Sequence, residues 1–119
     1  MATVNPTVEP LPAQAGQFCL LVIWTLTTAN ADGAPVELPH YPDKTVQIEG
    51  TFGSGTLTMQ GTNDSTNYQT LTDPQGNTIA KVGAALEAIQ ENPRKIRPNL
   101  TGSTGATVTV TMLCKGPQR

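Results

Sequence analysis

Between Thr45 and Leu71 apolar and polar residues alternate with a period of two: Val46 and Ile48, then Leu57 and Met59, with polar residues between them. Apolar side chains at every second position line one face of a strand and leave the other face to water. The block therefore admits half-buried strands and excludes a helix. Gly53-Ser54-Gly55 and Thr62-Asn63-Asp64-Ser65 interrupt the alternation with residues that tolerate positive φ, as hairpin turns require. Three short strands joined by two hairpin loops are the expectation for this stretch.

The flanking segments extend the pattern. Phe18 to Ala29 is apolar on both faces: Cys19, Leu21, Ile23 and Thr25 alternate with Leu20, Val22, Trp24 and Leu26. Such a strand sits centrally in a sheet, or faces the core on one side and a partner subunit on the other. Ala106 to Lys115 alternates again, Val108, Val110 and Met112 against Thr107, Thr109 and Thr111. Val36 to Leu38 reads as a short edge strand between prolines, and Thr78 to Val82 as another. From Gly83 to Glu91 the period changes. Val82, Ala85, Leu86 and Ile89 share one helical face, and Asn92-Pro93 ends the segment, which predicts one short helix docked on the strands.

At 119 residues and 12.5 kDa the chain suits one domain. Residues 1–17, with Pro6, Pro10 and Pro12, read as an extended N-terminal arm. Residues 18–115 read as the domain, and 116–119 as a C-terminal tail. About seven or eight short strands without alternating helices indicate a mostly β fold, an antiparallel β-sandwich with one short helix.

Composition narrows function. Charged residues make up 13% of the chain and the net charge is −2, so no basic face for nucleic acid is expected. No apolar run is long enough to span a bilayer. The N-terminus lacks a basic residue before an apolar core, so no export signal is expected. Cys19 and Cys114 are then expected as reduced thiols in the core, with a disulfide between them as the competing reading. One histidine, no nucleophile elbow and no metal-ligand spacing leave no catalytic residue, metal site or cofactor to assign, so the chain reads as a non-enzyme. Partner contacts are expected instead. Val4, Val8 and Leu11 would anchor the arm on a neighbouring subunit. Trp24 is a core or interface anchor. His40 and Tyr41 are displayed between Pro39 and Pro42, and Arg94, Lys95 and Arg97 form a small basic cluster.

The run from Val46 to Gly53, Leu57 to Gly61, Asn63-Asp64 and Asn67-Tyr68 resembles small structural proteins of tailed bacteriophages. So do Asp73-Pro74-Gln75-Gly76-Asn77 and Glu91-Asn92-Pro93-Arg94-Lys95-Ile96-Arg97-Pro98. The resemblance spans about Thr45 to Leu113. It implies a capsid cement or decoration protein with a jelly-roll-like fold, bound to the major capsid protein on the virion surface, often as a homotrimer. It implies synthesis in the host bacterial cytoplasm, with neither nucleic acid nor membrane as partner. A neck, tail or fibre component shares the same fold class. The segment from Thr62 to Tyr68 also resembles discoidin-like carbohydrate-binding modules, with Ser65 where glycine is usual and tyrosine for tryptophan. That implies a glycan-binding alternative using Tyr68 or Tyr41.

Overall fold

The computed structural model describes residues 3–11 and 17–118. The strands are β1 (Thr3–Val4), β2 (Thr7–Leu11), β3 (Gln17–Thr27), β4 (Asp32–Gly33), β5 (Asp43–Thr51) and β6 (Thr56–Thr62). They continue as β7 (Gln69–Thr70), β8 (Ala80–Lys81), β9 (Ala85–Ala88), β10 (Lys95–Thr101) and β11 (Thr107–Gln118). Two sheets result. One has the order β1-β4-β10-β6-β7, with β8 also pairing β6; the other has the order β2-β3-β11-β5-β9. Every ladder is antiparallel except the short parallel pairing of β1 with β4.

The alternation read from the sequence decides which side chains enter the core. Val22, Trp24 and Leu26 on β3, Val46 and Ile48 on β5, and Val108, Val110, Met112 and Cys114 on β11 are fully buried. Leu57 and Met59 on β6 and Ile96 and Leu100 on β10 meet them from the six-stranded sheet in one continuous cluster. Burial of each large aliphatic side chain contributes about 1.5–3 kcal/mol, so this cluster dominates the favourable side of folding. Trp24 lies wholly inside it, and its indole N–H donates to the carbonyl of Ala34 at 2.9 Å, which removes the cost of burying a donor.

Three expectations change. The segment from Gly83 to Glu91 is not a helix: its middle is β9, paired with β5 from Thr45↔Ala88 to Ile48↔Ala85. A helix of nine residues lies below the roughly 12–15 needed for stability in water. The open edge of β5 offers the same residues a ready ladder instead. The first glycine loop is also not a hairpin. Gly53 and Ser54 do take positive φ (55° and 63°), yet they carry the chain from β5 in one sheet to β6 in the other. The second loop is a true hairpin, β6 pairing β7 through Gln60↔Thr70 and Gly61↔Gln69, with Ser65 at positive φ.

The third change concerns the N-terminus. Its residues 3–11 lie along this domain's own edges, β1 on one sheet and β2 on the other. Pro10 is tolerated in β2 because an outer edge strand needs no inward amide donor at every residue. Residues 1–2 and 12–16 of the expected arm lie outside the described residues.

Candidate interaction surface

The outer face of the five-stranded sheet follows from the register. Outward positions pair as Thr7, Ile23, Thr111, Gln47 and Leu86 in one row, and as Glu9, Leu21, Leu113, Thr45 and Ala88 in the next. Leu11, Cys19, Lys115 and Asp43 make a third row. Leu11, Cys19, Leu21, Ile23 and Leu113 are all half-buried, so a contiguous apolar patch occupies the centre of this face with Glu9 and Lys115 beside it. The strand Phe18 to Ala29 is not enclosed on both sides: one face lies in the core and the other on this outer surface. Cys19 is correspondingly on the outer face and not in the core. Cys114 is in the core, and both thiols are free.

At the end of the first row the edge strand projects Leu86 (69% exposed), and the connection from β8 that leads into it projects Val82 (73% exposed). Behind them Lys81 on β8 and Glu87 on β9 form an ion pair at 3.0 Å that ties the two sheets together at this edge. Sequence reasoning missed both residues because the helical period assigned them to the docked face. The signal that would have found them is Gly83-Ala84, a turn, followed by Leu86 alternating with Ala85 and Glu87.

The expected contact residues are dispersed. Val4 packs against the core, Val8 is 48% exposed at the edge of β2, and Leu11 joins the outer patch. Trp24 is wholly enclosed and presents nothing to a partner. His40 is exposed, with its ring centroid 4.5 Å from that of Tyr41, which packs against the core. Arg94 is exposed and pairs with Glu37 at 3.2 Å, while its amide donates to Asn63. Arg97 lies on the outer face of the six-stranded sheet, donates to Gln60, and stacks 3.6 Å over the ring of Tyr68. Lys95 is half-buried two residues away on the same face. The basic cluster is therefore split between an ion pair, an aromatic stack and an isolated lysine.

Where the loops 62–68 and 90–94 meet, a cleft of about 360 Å³ is lined by Asn63, Asn67, Gln69, Thr70 and Glu91. Asp64 organises one wall: its carboxylate accepts from the amides of Thr66 and Asn67, the amide side chain of Asn67 and the hydroxyl of Thr62. These bonds hold its pKa far below the usual carboxylate range. Burial pushes Glu91 up, but the amide and hydroxyl of Thr72 both donate to it and the net shift is downward. Next to the cleft, Lys44 is buried and donates to Asn92, whose amide donates to the carbonyl of Pro39. Desolvation lowers the Lys44 pKa, and Cys114 and Asp43 partly offset that shift. Burial raises Cys114 to about 11, against the opposing influence of Lys44. Chemically these are polar braces that hold loops in place. Among the described residues no group of three or more His, Cys, Asp or Glu side chains could hold a metal ion.

No protein-family model matches the chain, and no curated protein matches it either. Among solved structures it is similar to the SPBc2 prophage-derived protein YomS, with a TM-score of 0.60 and 14% identity over 98% of this chain and 97% of that one. A TM-score of 0.36 to a candidate mannose-6-phosphate isomerase from Ralstonia eutropha, 13% identical over 92% and 83% of the two chains, is too low to argue from. At 14% identity the first likeness is one of fold.

Proposed function

We propose that the chain is a structural component of a bacteriophage particle, of the capsid cement or decoration type, that binds the outer shell and bridges subunits of the major capsid protein. The observation that carries this reading is the end-to-end likeness in fold to a prophage-derived protein. The pattern of connections supports a jelly-roll-like sandwich: seven of the ten steps between consecutive strands pass from one sheet to the other. The apolar outer face, which no element among the described residues covers, and the projecting Val82 and Leu86 support a role in assembly, since contiguous apolar surface marks sites of protein contact. Contact with two neighbouring shell subunits adds interface that is lost when the lattice opens, so binding stabilises the closed shell by mass action. The chain would be made in the host cytoplasm and reside on the virion surface.

Quantitative mass spectrometry of purified particles tests the reading through copy number relative to the major shell protein. A ratio near one per shell subunit, or one per three, supports it. A handful of copies moves the chain to the neck, tail or a fibre, and absence from the particle overturns a virion role. A glycan-binding reading is favoured by one observation, the Arg97–Tyr68 stack beside the polar cleft. A glycan array without a hit above background removes it.

A further inference from the structure

We infer that two copies of this chain pair through the outer face of the five-stranded sheet, around a two-fold axis that sets Glu9 of each copy against Lys115 of the other. The inference goes beyond the virion reading, because it holds wherever in a particle the chain resides. It also replaces the homotrimer that the resemblance implied. The face is self-complementary in its own register. Strands lie about 4.8 Å apart and successive outward residues about 6.8 Å along a strand. On that grid Glu9 and Lys115, two strands and one row apart, are separated by about 12 Å. Between them lie Leu21 and Cys19 on β3.

A two-fold axis in the plane of the interface, passing between Cys19 and Leu21, exchanges these two charged positions. The same operation places Leu21 over Leu113 of the second copy and Leu11 close to its Cys19. Apolar groups therefore meet apolar groups, and both flanks carry an opposite-charge pair. Strands of the two copies cross at about 70°, within the orthogonal class of sheet packing. Neither Glu9 nor Lys115 has an ion-pair partner among the described residues of its own chain, so both are available for the contact. On the same grid Asp43 falls about 5 Å in projection from Glu9 of the second copy, so Lys115 is flanked by two carboxylates, and Glu49 falls about 4 Å from its own symmetry mate at the far end of the face, where solvent and salt screen the repulsion.

The area suffices. Five strands by the three outward rows cover about 500 Å² on each copy, or about 1,000 Å² in all, the size of weak specific interfaces. Isologous contacts of this kind close after two copies and leave no open end to grow.

Sedimentation equilibrium on the full chain over a range of concentrations tests the inference, with circular dichroism to verify that each variant is folded. A monomer–dimer equilibrium is expected. Glu9→Lys and Lys115→Glu should each weaken association at least about tenfold, and the double charge reversal should restore it to within about threefold of the original. Leu21→Glu should abolish it. A chain that stays monomeric at about 1 mM, or that forms a trimer, overturns the inference. So does a dimer that the double reversal fails to rescue, because its interface lies elsewhere.

Discussion

Replacing Gly53 by alanine tests how the two sheets are joined. Gly53 begins the turn that carries β5 into β6, with φ at 55°, a left-handed conformation that costs an L side chain about 1–2 kcal/mol. The turn docks backbone to backbone on the β10–β11 turn, where the amide of Thr104 donates to the carbonyl of Gly53 at 2.9 Å. A Cβ on Gly53 would stand 2.0 Å from the carbonyl oxygen of Thr104 and 2.9 Å from its carbon. Both obstacles are main chain, so the turns must separate by about 1 Å and lose the hydrogen bond, a further 0.5–1.5 kcal/mol or so. The sum is about 2.5 kcal/mol. Gly105 is the control: its φ is 62° and nothing lies within 4 Å of an added Cβ, so alanine there bears the backbone term alone, about 1.5 kcal/mol. Unfolding entropy scales to about 4 °C per kcal/mol for a chain of this length. Scanning calorimetry should then show Gly105→Ala lower in Tm by about 6 °C and Gly53→Ala by about 10 °C. Equal shifts in the two variants would refute the docking of the turns as the source of the difference.

Three further outcomes follow from the same structure. Val82→Ser with Leu86→Ser removes two exposed side chains, so unfolding free energy should stay within about 0.5 kcal/mol while occupancy on particles falls; unchanged occupancy would remove these residues from the contact. Deleting residues 1–11 strips β1 and β2 from their sheets and exposes the edge of β3, so a urea titration should show a lower midpoint; an unaltered midpoint would show that the two strands add nothing. The Cys114 thiol rises from 9.0 to about 11 on folding, so the folded state holds its proton more tightly and stability should decline as pH climbs through that window. Lys44 acts oppositely: its lowered pKa means that stability recovers as pH rises towards 10.5. The falling component should vanish in Cys114→Ala and the rising one in Lys44→Met, as measured by urea unfolding from pH 8 to 11; variants that keep the original profile would contradict these assignments.

The strands that form the core were readable because their alternation is complete and their burial one-sided, as at Val46 and Ile48 or Val108, Val110 and Met112. Which strands pair was not readable, because pairing depends on where an edge is free. β9 shows the difference. Its residues satisfy a helical period as well as a strand period, and the decision falls to the vacant edge of β5, a tertiary fact with no local signature. The same holds at Gly53-Ser54-Gly55, where the residue types announce positive φ but not whether the chain returns to its own sheet or crosses to the other.

These two decisions together create the candidate surface. Because the arch sends β6 to the opposite sheet, β5 keeps an edge that β9 can occupy, and β9 carries Leu86 onto the outer face in the same row as Ile23. Had Gly53-Ser54-Gly55 closed a hairpin, β6 would have taken that edge and Leu57 and Met59 would have extended the inner face of the five-stranded sheet. The apolar outer face is thus a consequence of topology acting on a β3 strand that is apolar on both sides. The sequence shows the doubled hydrophobicity of β3, and the structure shows that no element of the chain among the described residues covers its second side. A strand built that way gains nothing from its outer leucine and isoleucine until another surface is laid against them.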